Sequence, residues 1–123
     1  MSTKKLAQQL DRFAQERRAL VSAFLEASPL IAGSVTQTKG RCGKPQCACA
    51  QKPSHEIALL MTYENGKRTS KLIRKNDVEE VLNQWHQYKT LKEKIARLRK
   101  LNQQEIELLQ QAIEERKRTY EPQ

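Results

Sequence analysis

Aromatic side chains are scarce in this chain: Phe13, Phe24, Tyr63, Trp85, Tyr88 and Tyr120 are the whole supply in 123 residues. With hydrophobic residues at 37%, a core built from this inventory is thin, and a metal or a second subunit is the usual supplement. No apolar run approaches the roughly 18 residues that a membrane span requires. The start, Met1-Ser2-Thr3-Lys4-Lys5, leads into a charged amphipathic pattern rather than an apolar leader. The chain also lacks a glycine-rich phosphate loop, a nucleophile–base pair and an acidic cluster suited to magnesium, so the expectation is a protein that is not an enzyme. Three cysteines cannot all pair internally, which favours thiolates in a reducing cytoplasm over a secreted disulfide scaffold.

What the chain does have is concentrated. All three cysteines fall between Gly40 and His55, in a Cys-x4-Cys-x-Cys-x5-His spacing formed by Cys42, Cys47, Cys49 and His55. Three thiolates and an imidazole are the ligand set of a closed, four-coordinate zinc site, and Gly40, Gly43 and Pro45 permit the sharp turns that aim them at one point. The Cys-x-Cys pair is tighter than the usual Cys-x2-Cys knuckle. His86, next to Trp85, is the alternative fourth ligand, and an apo thiol cluster or redox switch is the alternative to zinc. A catalytic zinc would keep an open position and a base to move protons; four ligands in one loop point to a closed structural site.

Charge is equally localised. The chain carries a net +9, and residues 39–75 hold nine basic against two acidic residues, whereas 76–123 balance at nine of each. Such an excess is the footprint of a polyanion partner, nucleic acid being the common one, although a basic surface kept for solubility would read the same way. Arg41, Lys44, Lys52, Lys67, Arg68, Lys71, Arg74 and Lys75 are the candidate phosphate contacts. The only aromatic near them is Tyr63, which argues against a stacking platform for single strands.

The patterning predicts an α+β chain. Leu6, Leu10, Phe13, Leu20, Val21, Phe24 and Leu25 repeat at helical spacing, predicting an amphipathic helix over residues 3–28 with Ser2 or Thr3 as cap and Ser28-Pro29 as its end. Residues 34–38 have the content of a strand. Residues 57–64 and 67–74, joined by Asn65-Gly66, read as a hairpin on a type I′ turn, setting Glu64 against Lys67, Thr62 against Thr69, Tyr63 against Arg68 and Leu59 against Leu72. Its apolar face would be Ile57, Leu59, Met61, Tyr63 and Leu72, packed on a helix; with the 34–38 strand alongside, a three-stranded antiparallel sheet follows, closed at one end by metal.

Residues 77–118 read as one long helix capped by Asn76. Its stripe runs through Val78, Val81, Leu82, Trp85, Tyr88, Leu91, Ile95 and Leu98, then Asn102, Ile106, Leu109 and Ile113, with a stutter in the heptad. A helix this long would pair its distal half with another chain, coiled-coil fashion, or fold back near Asn102. The chain thus divides into an N-terminal helix (1–32), a zinc knuckle with hairpin (33–76) and a long C-terminal helix with frayed tail (77–123).

Residues 33–96 carry Cys-Gly-Lys-Pro-Gln-Cys-Ala-Cys-Ala, then His55, Gly66-Lys67 and a Trp-bearing helix. This stretch resembles a family of small prokaryotic proteins of unknown function with a Cys-Gly-Lys-x-x-Cys-x-Cys…His pattern. Such proteins are similar to accessory products of mobile elements, which implies a DNA context. The chain departs from that pattern after His55, where Glu56-Ile57-Ala58 replaces the usual Gly-Pro-Tyr. The resulting expectation is a zinc-stabilised DNA-binding module that forms a homodimer through its C-terminal helix. The alternative is an adaptor docking a larger enzyme, such as a transposase or recombinase, through its helices; a small zinc hydrolase is a distant third.

Overall fold

Asn65 and Gly66 both hold positive φ, 54° and 79°, the backbone that an Asn-Gly type I′ turn demands. In the structure, a computed structural model that describes residues 1–40, 45–46, 51–52 and 55–123, this turn joins β2 (His55–Glu64) to β3 (Lys67–Ile73). The register is the expected one: Glu64 faces Lys67, Tyr63 faces Arg68, Thr62 faces Thr69 and Leu59 faces Leu72. β1 (Ser34–Gly40) pairs antiparallel with the other side of β2, so the sheet order is β1-β2-β3 with β2 central. The helices are α1 (Thr3–Ser22) and α2 (Val78–Arg116), and the fold is α+β.

The most buried residue of the sheet lies on the face opposite the one the hairpin pattern suggests, although Ile57, Leu59 and Met61 of the expected face are half-buried too. Ala58 is 3% exposed, and Val35, Leu60, Thr62, Thr69 and Ile73 on its face are half-buried. Tyr63 and Leu72, expected inside, stand 77% and 67% exposed. A hairpin considered alone favours its odd-numbered apolar set. The third strand reverses the balance, because Val35 joins Ala58, Leu60 and Ile73, whereas Thr36, Thr38, Arg68 and Ser70 share the face of Tyr63. The polar pair on the covered face is satisfied internally: the Thr62 and Thr69 hydroxyls lie 2.7 Å apart.

By its contacts the chain forms two compact units: Ser28–Thr90, and Met1–Ala27 with Leu91–Gln123. In the first, the link before β1 is stitched to the opening turns of α2. The Trp85 indole N–H donates to the Gly33 carbonyl at 2.7 Å, the Ile31 N–H donates to the Gln84 carbonyl at 3.4 Å, and the Ser28 hydroxyl donates to Gln87 Oε1 at 3.1 Å. Gly33 has φ +109°, and a Cβ there would lie 2.4 Å from the Met61 carbonyl oxygen. Only glycine fits.

The second unit is an antiparallel helix pair. Ser2 caps α1, its hydroxyl accepting from the Lys5 N–H at 3.2 Å. The Met1 amine donates to Glu115 at 2.8 Å, Arg17 donates to Asn102 at 3.0 Å and to Glu105, and Arg97 donates to Glu16 at 2.5 Å. The hydrogen bond from Arg97 is the main reason that the Glu16 carboxyl sits below its ordinary pKa; desolvation opposes it and the guanidinium charge adds to it. Between these contacts Leu101 is fully buried and Leu108 nearly so.

Three boundaries differ from expectation. α1 stops at Ser22, whose hydroxyl donates back to the Ala19 carbonyl at 2.8 Å, and only a 3-10 turn at Ala23–Leu25 follows. Asn76 is not a cap: it lies inside a 3-10 turn, Lys75–Asp77, that opens α2. α2 continues through Asn102 without folding back, and its buried residues are Leu101 and Leu108 rather than the Ile95–Ile113 stripe. The charges decide this last point, since Arg97 and Glu105 flank Leu101 and are the partners of Glu16 and Arg17.

Three outcomes follow for denaturant unfolding. Leu101→Ala should lose about 3 kcal/mol, the cost of an unfilled core site. Gly33→Ala should lose about 2 kcal/mol or more through backbone strain and steric clash, whereas Trp85→Phe should lose about 1 kcal/mol with its one hydrogen bond.

Candidate nucleic-acid interface and metal site

Edge strands expose unpaired backbone groups, and lysine on them discourages unwanted pairing. β3 is such an edge, and it carries Lys67, Arg68 and Lys71, followed by Arg74 and Lys75 in the turn that opens α2. All five are exposed, as is Lys52. Strand alternation divides them. Lys67 and Lys71 share the face of Ala58, and Arg68 stands on the face of Tyr63 and Leu72. They form a ridge with cations on both sides, not the flat strip that their order in the chain suggests.

Few of these charges are neutralised. Among the described residues the run Lys67–Lys75 makes one ion pair, Lys71 to Glu64 at 3.6 Å, with both side chains more than half exposed. Such a pair contributes little to stability. The Arg68 guanidinium donates to the Met61 sulfur at 3.4 Å, a weak contact that lays its stem along the apolar face. Lys39, absent from the predicted set, is also exposed, and its register partner is Glu56. Its cation belongs to the same basic excess, and only its strand position shows that a carboxylate stands opposite.

The predicted zinc ligands divide differently. Cys42, Cys47 and Cys49, like Arg41 and Lys44, lie outside the described residues. His55 is the first residue of β2 and pairs with Gly40, the last of β1, so the segment bearing the three thiols leaves and re-enters the sheet through one backbone pair. Ile57 packs across Gly40, leaving no room there for a Cβ. Three thiols in the intervening sequence and an imidazole at the Gly40–His55 pair have donor chemistry that fits zinc. His86 is exposed on α2, its ring 5.3 Å from that of Trp85, while the Lys89 ammonium sits 3.7 Å over the indole. Among the described residues no three or more His, Cys, Asp or Glu side chains cluster as a metal site.

No helix among the described residues is long and apolar enough to cross a membrane. Neither the curated proteins nor the solved structures hold a match to the chain. A family profile, however, matches residues 3–83, a stretch that takes in every candidate site residue except His86. The chain therefore belongs to the family described as domain of unknown function DUF6788.

Proposed function

We propose that this protein is a non-enzymatic, zinc-stabilised module that binds double-stranded DNA, in the manner of an accessory protein of mobile elements. One observation carries the reading: the exposed and largely unpaired cations Lys67, Arg68 and Lys71 on both faces of the edge strand β3, with Arg74 and Lys75 following it. A two-stranded ribbon fits a major groove about 12 Å wide, where phosphates flank it on each side, so cations on both faces suit it better than cations on one. No base-reading set accompanies them, and the expected binding is governed by phosphates. The zinc, held by Cys42, Cys47, Cys49 and His55, would close the loop beside this hairpin and supply folding energy rather than chemistry.

A second reading, an adaptor that docks a larger enzyme through its helices, draws support from Leu25, which ends the 3-10 turn after α1 and is 82% exposed. The two readings separate on one variant. Lys67→Glu with Arg68→Glu removes two cations of the hairpin and leaves both helices intact.

Binding to a short DNA duplex, titrated over a salt series, should show a log–log slope of about −4, the value for four to five displaced counterions. The double charge reversal should weaken binding at least about tenfold and flatten the slope by about 2. A wild-type slope near zero would overturn the DNA reading. Elemental analysis should find one zinc per chain, and chelation, or Cys47→Ser, should lower the melting temperature; metal-free protein with unchanged melting would leave the cysteines as free thiols.

A further inference from the structure

Register sorts the charges of the sheet by face. Glu56 and Glu64, the acids of its strands, both fall on the face of Ala58, where Lys39 stands opposite Glu56 and Lys67 opposite Glu64. The face of Tyr63 holds no acid from the three strands. Its cation, Arg68, stands directly opposite Tyr63, and Arg74 follows two residues after Leu72. Tyr63 and Leu72 are the exposed apolar side chains of this face. Each has an arginine for a neighbour and no carboxylate to neutralise it.

An open aromatic ring beside an uncompensated cation fits a partner that joins an apolar face to a negative charge, and a nucleotide joins them as base and phosphate. The pair Tyr63–Arg68 is the second from the Asn65-Gly66 turn, so it lies near the tip of the ribbon. The Arg68 guanidinium is anchored on the Met61 sulfur at 3.4 Å, and the ring of Tyr63 stays open. A run of single-stranded bases needs several such rings, and this face has one. A membrane surface needs a continuous apolar patch. Leu72, however, is level with Leu59, four positions from Tyr63 and about 14 Å away at the standard rise. One base next to duplex is the occupant that suits both the single ring and the cations around it.

We infer that Tyr63 stacks on a single unpaired nucleobase adjoining duplex DNA, with Arg68 on the phosphate beside it. The inference rests on the DNA reading and narrows its substrate: the cations of β3 hold the duplex, and the ring takes one base that has left the stack. Stacking tolerates any sequence, because every base has a π-face, and this agrees with the lack of a base-reading set. A base without a partner also costs less to extrude than a paired one, so the site selects a bulge or an overhang over continuous duplex.

Two duplexes of one sequence test it, one continuous and one carrying a single-base bulge of the fluorescent base aminopurine. The wild-type chain should bind the bulged duplex about tenfold more tightly than the continuous one, with the aminopurine emission changing on binding. Tyr63→Ala and Tyr63→Leu should bring the ratio of the two affinities to about one. Tyr63→Phe, which keeps the ring, should keep the ratio, and circular dichroism should find all three variants folded like the wild type. Equal wild-type affinities would overturn the inference and leave the DNA reading in place, and so would a preference that survives the loss of the ring. Binding to neither duplex would overturn both, and binding to phosphatidylserine vesicles alone would overturn them in favour of a membrane surface.

Discussion

The shortest of three hydrogen bonds that tie the approach to the sheet to the long helix runs from the indole N–H of Trp85 to the carbonyl of Gly33, at 2.7 Å. The bond requires the backbone at Gly33 to turn through positive φ while passing within van der Waals reach of the Met61 carbonyl, a position that no side chain can share. It also fixes the direction in which β1 starts. From there β1 pairs with β2, β2 with β3, and the Asn65-Gly66 turn sets the register of the rest. The neighbouring bonds from Ile31 and Ser28 to Gln84 and Gln87 lay the link along the same helix surface. The one tryptophan in an aromatic-poor chain is thus used as a polar handle with an apolar body.

The sheet that results has two unlike faces and a charged edge. One face sets Ala58 among half-buried Val35, Leu60, Thr62, Thr69 and Ile73. The open face keeps Tyr63 and Leu72 in contact with solvent beside Arg68. A protective role for the edge lysines and a phosphate-binding role do not exclude each other, because both require cations that are hydrated and unpaired. Arg74 and Lys75 separate the roles: they lie beyond the strand, where no backbone edge remains to protect.

Local patterns were legible in the residues, and choices between two similar patterns were not. The Asn-Gly turn, the cross-strand register, the Ser2 cap and the three-stranded antiparallel order all follow from neighbours in sequence. The buried face of the hairpin does not, since both faces carry apolar residues and the decision rests with Val35, twenty-odd positions away. The same holds for α2. Ile95, Ile106, Leu109 and Ile113 make the better heptad stripe, yet α1 chooses Leu101 and Leu108, because Glu16 and Arg17 find their partners beside those leucines. Charge pairing between distant segments selected between two apolar rows that periodicity alone ranks the other way. The cationic ridge was readable in composition, and its division between two faces needed only strand alternation. The bond from Trp85 to Gly33 had a signal too, a lone tryptophan and a glycine before a strand, but nothing in their spacing joins them.

The thinness of the core gives the cysteine cluster a physical motive that its spacing alone does not. Among the described residues of Ser28–Thr90, Ala58 is the only buried one, and burying a methyl group contributes little against the cost of ordering three strands. A unit of this size is ordinarily completed by a staple. A disulfide framework would need an even number of cysteines, and the chain has three. A metal bound by three thiolates and His55 would tie the loop to the sheet where β1 and β2 meet, at the pair Gly40–His55. Zinc held by such a set contributes folding energy on the order of 10 kcal/mol, comparable to the whole stability of a small domain. With zinc bound in this way, the sheet and the thiols would depend on each other: pairing of Gly40 with His55 would bring the ligands together, and the metal would hold the strands.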